Sequence, residues 1–394
     1  MTDVCIIGGG IIGLSIAREL AGRGLSVRVL AREPARQTAS WAAAGIFPPA
    51  PRYAGAPPGD LLTAWSDELH RQWARDLLDE TGIDNGLREC GGLHVAADDD
   101  QFARLRAAVA LWEAQGTRCD VLDAAGIAAL EPALADAVSR GRLIGGFHLP
   151  AEMQIRPPRH LQALERSCLT RGVTIETGVT VRDLEIRGGR VRSVAAEQEG
   201  HATAVHAEHY VLAAGAWSGA LAERLGLALM TRPIRGQIAL LRLPVQRLRR
   251  VVNRGLGYLV PREDGRLLVG STLEDAGFAA TTTPEAIDSL LVMVRDLLGT
   301  TDGGTLEQSW AGLRPASIDG LPTIGRVPAC DDACVAAGHF RAGLHQSTGT
   351  AVLVADLITG QPTALDPSPF APDRVPGSTD VVGEYLARAA AETV

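Results

Sequence analysis

An α/β fold, built on a parallel sheet and interrupted by a β-rich unit, is what this sequence predicts, and three observations predict it. The first is Val4-Cys5-Ile6-Ile7-Gly8-Gly9-Gly10-Ile11-Ile12-Gly13, an apolar strand that passes through a glycine turn into a helix. The second is the return of that pattern downstream. Tyr210 to Trp217 reads as a buried strand ending in a glycine turn, and Cys334 to Gly338 followed by Gly349 to Thr359 reads as another strand and helix. The third is a block of short strands between these two: Gln237 to Leu243, Tyr258 to Pro261 and Arg266 to Thr272, the last pair joined by the turn Glu263-Asp264-Gly265. The nucleotide-type segments therefore come in three pieces, with other material inserted twice.

The first piece carries the most chemistry. Gly8, Gly10 and Gly13 stand in G-x-G-x-x-G register, the fingerprint of a Rossmann-like dinucleotide site. The first glycine makes the tight turn, the second lets backbone approach a diphosphate, and the third lets helix and strand pack closely. The helix N-terminus adds unpaired N–H groups and positive partial charge. That helix runs from Ile12 to Arg23, Gly24 ends it, and Ser26 to Leu30 forms the next strand.

The small-residue stretch Thr38 to Gly45 comes next, then a Pro/Gly-rich loop from Pro48 to Gly59. Asp60 to Glu80 is an amphipathic helix stopped by Thr81-Gly82, and Gly91 to Ala96 is a strand. Gln101 to Gln115 is helical, with Leu105, Val109 and Trp112 on one face. Pro158 to Arg171 is a helix closed by Gly172, and Val173 to Glu176, Val179 to Val181 and Val191 to Ala195 are strands. Thr283-Pro284 caps and starts a helix ending at Leu298. Gln361 to Ser378 is a proline-rich linker, and Asp380 to Thr393 a terminal helix. The expected division is a dinucleotide-binding domain of residues 1–88, 151–228 and 312–394, and a β-rich α+β domain of residues 89–150 and 229–311.

Composition narrows the function. The 394 residues suit two domains, and 46% hydrophobic with 21% charged residues is ordinary for a globular protein. A formal net charge of −8 disfavours nucleic acid or an anionic membrane surface as partner. No apolar run is long enough to span a bilayer. The fingerprint begins almost at Met1 and leaves no room for a signal peptide. Six cysteines at positions 5, 90, 119, 168, 330 and 334 form no C-x-x-C. Cys330 and Cys334 would share one side of a helix, but no histidine or further cysteine gives them zinc-site spacing. Most of these thiols read as core residues of a cytoplasmic protein, and no metal is expected.

Taken together, several motifs resemble the D-amino-acid oxidase family of flavoproteins, most closely its glycine oxidase branch. They are Gly8 to Gly13, Ala39-Ser40-Trp41-Ala42-Ala43-Ala44-Gly45, Leu212 to Ser218, Tyr258-Leu259-Val260-Pro261-Arg262, Trp310-Ala311-Gly312-Leu313-Arg314-Pro315 and Gly338-His339-Phe340-Arg341. The resemblance implies a glutathione-reductase-type FAD domain with an interleaved substrate domain. It implies that FAD lies against Gly8, Gly10, Ile12, Gly13, Arg32, Glu33, Ser40, Ala43, Ala44, Gly45, Val181, Ala214, Gly215, Trp217, Arg341, Gly343 and Leu344. It makes Arg314, Tyr258 and Arg341 the catalytic group. Arg314 would fork onto a substrate carboxylate, which suits a guanidinium that stays charged when desolvated. The Tyr258 hydroxyl would hold that carboxylate or the flavin-side lid. Arg341 would place positive charge near the flavin, where it favours the reduced anion. His339, in the same segment, reads as a structural loop residue and not as a base.

Three departures stand out. Ala31, followed by Arg32 and Glu33, occupies the position where the family usually has the acidic residue that bonds the ribose. Either Glu33 reaches back, or backbone and water hold the sugar. The segment Ala342 to Thr348 is polar where the family is apolar. Pro315-Ala316-Ser317 lacks the cysteine that attaches flavin covalently in some relatives, so non-covalent FAD is expected.

The implied reaction is oxidation of a small amino acid or secondary amine (glycine, sarcosine or a D-amino acid) by hydride transfer to FAD. The product is an imino acid, with O₂ or another acceptor taking the electrons. In this branch such chemistry supplies imine for thiamine biosynthesis. The alternatives are a D-amino-acid dehydrogenase that passes electrons to a quinone or protein, and a non-catalytic flavin-binding subunit. The resemblance also allows a homo-oligomer.

Overall fold

A computed structural model describes residues 2–32, 38–229, 231–245, 248–299, 304–377 and 379–392. In chain order its longer elements begin with β1 (Thr2–Ile7), α1 (Ile11–Gly22), β2 (Val27–Ala31), α2 (Pro58–Thr81), β3 (Gly92–Ala96), α3 (Asp99–Ala114), β4 (Asp120–Asp123) and β5 (Gly145–Leu149). There follow α4 (Pro157–Thr170), β6 (Thr174–Thr177), the meander β7 (Val179–Arg187), β8 (Arg190–Gln198) and β9 (His201–Val205), and β10 (Ala207–Leu212). The remainder is β11 (Thr231–Arg242), β12 (Val251–Arg254), β13 (Gly257–Pro261), β14 (Arg266–Gly270), α5 (Pro284–Leu298), β15 (Thr305–Ser317), β16 (Thr323–Val327), β17 (Cys330–Ala337), α6 (Ser347–Thr359) and α7 (Val381–Glu392).

Two large sheets result. The first has the order β16-β17-β10-β1-β2-β6, parallel except for the β16–β17 pair. Its strands come from separated parts of the chain and are apolar on both faces, as a covered parallel sheet requires. One face packs on α1, α2, α4 and α6 through Leu14, Leu62, Leu161 and Leu353. The other packs on the β7–β9 meander through Leu184, Val191 and Val194. The second sheet has the order β15-β11-β14-β13-β12-β3-β5-β4, and α5 covers one face with Ile287, Leu290 and Val294.

The glycine turn sets how closely these layers meet. Gly8 has φ +125°, and a Cβ there would lie 2.2 Å from the Ala213 carbonyl oxygen. A Cβ on Gly13 would lie 1.9 Å from the Gly8 carbonyl oxygen. Strand β1, helix α1 and the end of β10 therefore touch backbone to backbone. Arg18, 4% exposed, ties α1 to its neighbours. It donates to Ser167 Oγ (3.1 Å) and Glu80 Oε1 (2.8 Å), with its guanidinium 4.5 Å from the Trp73 ring centre.

Several local readings change. The strand expected from Cys334 begins already at Cys330, so both thiols lie on β17 and not on one side of a helix. Buried pairing with β10 overrides the weak helical spacing, and no group of metal-ligating side chains occurs among the described residues. Thr283 makes no side-chain cap: its N–H donates to Gln237 Oε1 (2.7 Å) while Pro284 opens α5. The strand at Val179 runs on to Arg187, and Thr305–Ser317 forms a full-length ladder with β11. Thr305 to Gln308 are exposed, so no apolar pattern marks that strand in the sequence. Among the described residues no helix is long and apolar enough to cross a membrane.

Gly13→Val should lower the free energy of unfolding by roughly 3 kcal/mol, because overpacking here meets backbone and not a movable side chain. A urea-unfolding midpoint equal to wild type would refute that close approach.

Candidate active site

One cavity of about 1250 Å³ runs from the glycine turn to the face of the second sheet. Its first end is the α1 N-terminus. Gly10 caps the helix without a side chain, and Ser40 Oγ accepts from the Ile11 N–H at 2.9 Å. Gly8, Gly10 and Ile12 line the cavity. Gly13 does not; it serves the helix contact described above. A negative diphosphate fits this end, since any Cβ at Gly8 would be refused and the remaining first-turn donors face outward.

Val181 and Arg182 line a second stretch, with Ala214, Gly215 and Trp217 opposite. Arg32 also lines it, and its guanidinium lies 4.0 Å from the Trp217 ring centre, a cation–π contact that orients both groups. Ala31, buried at the end of β2, lies against Gly9. Glu33 falls outside the described residues, so the ribose contact expected of it has no placement.

Toward the middle, Ala43, Ala44 and Gly45 form one wall. Trp41 meets Trp310 edge-on (5.0 Å), the Trp310 indole donates to the Ala42 carbonyl (3.2 Å), and Gly312 leaves room for Ala42. Two motifs 270 residues apart thus make one surface. Arg262, from the Tyr-x-Val-Pro-Arg motif, braces that wall from behind. Its guanidinium is buried and donates to the Ala44 carbonyl (2.6 Å), Gln154 Oε1 (2.8 Å) and the Ile155 carbonyl (3.0 Å). Burial lowers its pKa to about 10, so it remains charged at neutral pH.

The far end holds Arg314 and Tyr258. Arg314 leaves β15 half-buried and lies across Gly236, where a Cβ would be 2.1 Å from its Nη1. Nη2 donates to Ser271 Oγ (2.6 Å) and Nη1 to the Thr272 carbonyl (3.3 Å). Burial lowers its pKa to about 10, with repulsion from Arg341 adding to this and Tyr258 opposing it. The group is a fixed cation at neutral pH. Tyr258 is buried in β13, with its ring and hydroxyl against Gly270.

Arg341 sits on the rim, exposed, with its guanidinium 5.1 Å from the Tyr385 ring centre on α7. Phe340, at φ +47°, packs edge-on to the same ring at 5.7 Å. The Phe340 N–H donates to the Pro315 carbonyl (2.7 Å), which ties the Gly-His-Phe-Arg loop to the Arg314 strand. The terminal helix thus covers the site, a role for Tyr385 that no motif announced.

Gly343 and Leu344 line the cavity ahead of α6. The polar stretch after them turns largely away from it. His345 stacks on Phe47 (4.2 Å) with Nε2 3.0 Å from Asp67 Oδ1, and Gln346 donates to Thr63 Oγ1 (3.0 Å). His70 Nε2 lies 3.0 and 2.9 Å from the Leu344 and His345 carbonyl oxygens, positioning the turn before the helix. His339 is buried, with Nε2 3.0 Å from Thr350 Oγ1. Burial lowers its pKa to about 3, which suits a neutral structural residue.

A Rossmann-type dinucleotide cradle, continuous with a chamber that ends at a desolvated guanidinium, defines a flavin-type oxidoreductase of small anionic substrates. The comparisons make that class specific. Residues 3–357 match the model of the FAD dependent oxidoreductase family, so the chain belongs to that family. It is 36% identical over 373 residues to the glycine oxidase of Pseudomonas aeruginosa, covering 94% of this chain and 98% of that one. It is 35% identical to the bifunctional protein ThiO/ThiG of Synechocystis, over 95% of this chain and 54% of that longer one. The crystal structure of glycine oxidase from Geobacillus kaustophilus superposes with a TM-score of 0.88 at 31% identity, covering 95% of this chain and 99% of the other. FAD is the cofactor, and the enzyme is an oxidoreductase.

Acid should weaken the fold by way of its buried neutral histidines. His160, like His339, is lowered to about 3 by burial, against about 6.5 in an unfolded chain. Between those values the unfolded chain binds more protons, so the stabilisation is complete above about pH 6.5 and is lost as pH falls toward 3. His339→Gln should flatten the dependence of the urea midpoint on pH below about 6.5. An unchanged slope would contradict a neutral His339.

Proposed function

We propose that this chain oxidises a small amino acid or secondary amine of the glycine, sarcosine or D-amino-acid type to its imino acid. The observation that carries the reading is Arg314, a half-buried cation in the same cavity as the dinucleotide cradle. The glycine oxidase relatives support the substrate class. The Arg314 fork takes the substrate carboxylate, helped by the Tyr258 hydroxyl, and Ser271 with the Thr272 carbonyl keeps the fork from turning away. Arg341 adds positive charge at the rim. FAD, held non-covalently by the cradle, would supply the hydride acceptor, with O₂ or another acceptor as the final oxidant.

The protein's own contribution is orientation and exclusion of water. With the carboxylate fixed, the α-C–H is aimed at the flavin and the neutral amine's lone pair drives hydride departure, so no dedicated base is needed. Water then hydrolyses the imino acid to an oxo acid and ammonia or, from a secondary amine, the corresponding primary amine. In this reading residues 1–88, 151–228 and 312–394 serve the cofactor, and residues 89–150 with 229–311 serve the substrate. Strand β15, paired with β11 from Thr305 to Ser317, lies wholly in the second sheet and carries Arg314 to the cavity. The ThiO relatives favour supply of imine to thiamine biosynthesis, and the chain's properties suit a cytoplasmic enzyme.

Glycine, sarcosine or a small D-amino acid should bleach the visible spectrum of the purified yellow protein under anaerobic conditions. Arg314→Ala should cut kcat/KM for that bleaching at least about a hundredfold, the scale for losing a buried charge pair. Bleaching that survives unchanged in the variant would defeat the carboxylate clamp. Comparing peroxide release with dye reduction assigns the acceptor.

A further inference from the structure

The cavity does not end at Tyr258. Across the second sheet, Tyr258 on β13 pairs with Asn253 on β12, and Asn253 pairs with His94 on β3. Cross-strand partners share a face, so the three form one row, and all three line the cavity. His94 lies two strand spacings from Tyr258, about 10 Å.

Beneath this row is Glu152, fully buried. Its carboxylate meets His94 Nε2 at 3.2 Å through Oε2 and Asn253 Nδ2 at 3.1 Å through Oε1. Asn253 Nδ2 also lies 3.3 Å from His94 Nε2. Gly92 makes room for the carboxylate, since a Cβ there would lie 2.2 Å from it. Among the described residues Glu152 meets no arginine. Its two oxygens face His94 Nε2 and take one N–H of Asn253, so the carboxyl group orients both side chains. Asn253 keeps its Oδ1 carbonyl oxygen as an acceptor, and His94 in the tautomer that donates Nε2–H to Glu152 keeps Nδ1 as a second, both above a buried carboxyl group.

The cavity's arginines stand elsewhere. Arg32, Arg182 and Arg224 are grouped about Trp217 and Val181, and Arg314 and Arg341 are at the clamp. Asp60, hydrogen-bonded by the Tyr53 hydroxyl at 2.6 Å, is the other acid that lines the cavity.

Resting on the carboxylate clamp proposed above, we infer that Asn253 and His94, backed by Glu152, form a distal subsite for a cationic hydrogen-bond donor. The substrates favoured there are amino acids with a second, ω-ammonium nitrogen on a chain of three or four methylenes. A tail ending in carboxylate would stand against these acceptors and the Glu152 carboxyl group and is disfavoured, which makes Glu152 a specificity-determining positioning residue.

Three non-oxidisable acids of one length test this by binding to the FAD-loaded enzyme, followed by calorimetry: 5-aminopentanoate, pentanoate and glutarate. 5-Aminopentanoate should bind roughly tenfold tighter than pentanoate, with glutarate weakest, on the scale of one charged hydrogen bond. In Glu152→Gln, and separately in Asn253→Leu, the preference should shrink toward unity. These two variants differ in packing risk, and the readout is a ratio within each protein, so a general loss of stability does not imitate the effect. Pentanoate or glutarate equalling 5-aminopentanoate in the wild type overturns the subsite while leaving the clamp standing. A preference unchanged in both variants overturns the assignment to these residues. If none of the three acids binds, the clamp fails and the subsite falls with it.

Discussion

The contact on which the rest of the molecule depends is the backbone meeting at Gly8. There β1, α1 and the end of β10 come together with no side chain between them. That approach brings the first turn of α1 to the end of the parallel sheet, where its unpaired N–H groups open onto the cavity as an anion site. Everything downstream is placed relative to it. The Ala43–Gly45 wall is fixed because Ser40 caps Ile11, and the Trp310 strand is fixed because that wall is tied to it.

Charge in the cavity is handled almost wholly by guanidinium groups, and the chain contains no lysine. Each is planar, and Arg262 and Arg314 are held by more than one hydrogen bond, so they keep their direction when water is removed. Arg262 supports the wall from behind, Arg314 faces the chamber, and Arg32 and Arg341 lie on aromatic rings near the openings. Arg262 and Arg314 both lose solvation and both remain protonated at neutral pH. They differ in what they face. Arg262 finds only protein oxygen, whereas Arg314 has an open side onto the cavity.

Polar residues that the sequence places beside the flavin behave differently from one another. His345 bonds Asp67 and the Gln346 amide N–H bonds Thr63, both on α2, so the polar stretch supports the α6 N-terminus, although His345 also reaches the cavity lining. His339 and His70 are buried and neutral, and they hold loops. His94, by contrast, meets Glu152 through Nε2 and lines the cavity, as a recognition group would.

The fold class, the glycine cradle and the arginine motif were legible in the amino-acid sequence. Each depends on local physics: apolar runs of strand length, glycines where backbone must approach backbone, and proline fixing the extended chain beside Arg314. The terminal helix was legible as a helix, but its seat over Phe340 was not. Strand β15, the brace made by Arg262, the Ser271 contact and the row His94–Asn253–Tyr258 needed the tertiary structure. They are made by residues far apart in the chain, whose register is set by sheet pairing and whose burial is shared between partners. Cys330 and Cys334 show the same limit in reverse, since neighbouring strands, not their own spacing, decided their conformation. The sequence alone determined which chemistry the chain carries; only the folded sheets decided which of those groups face one another.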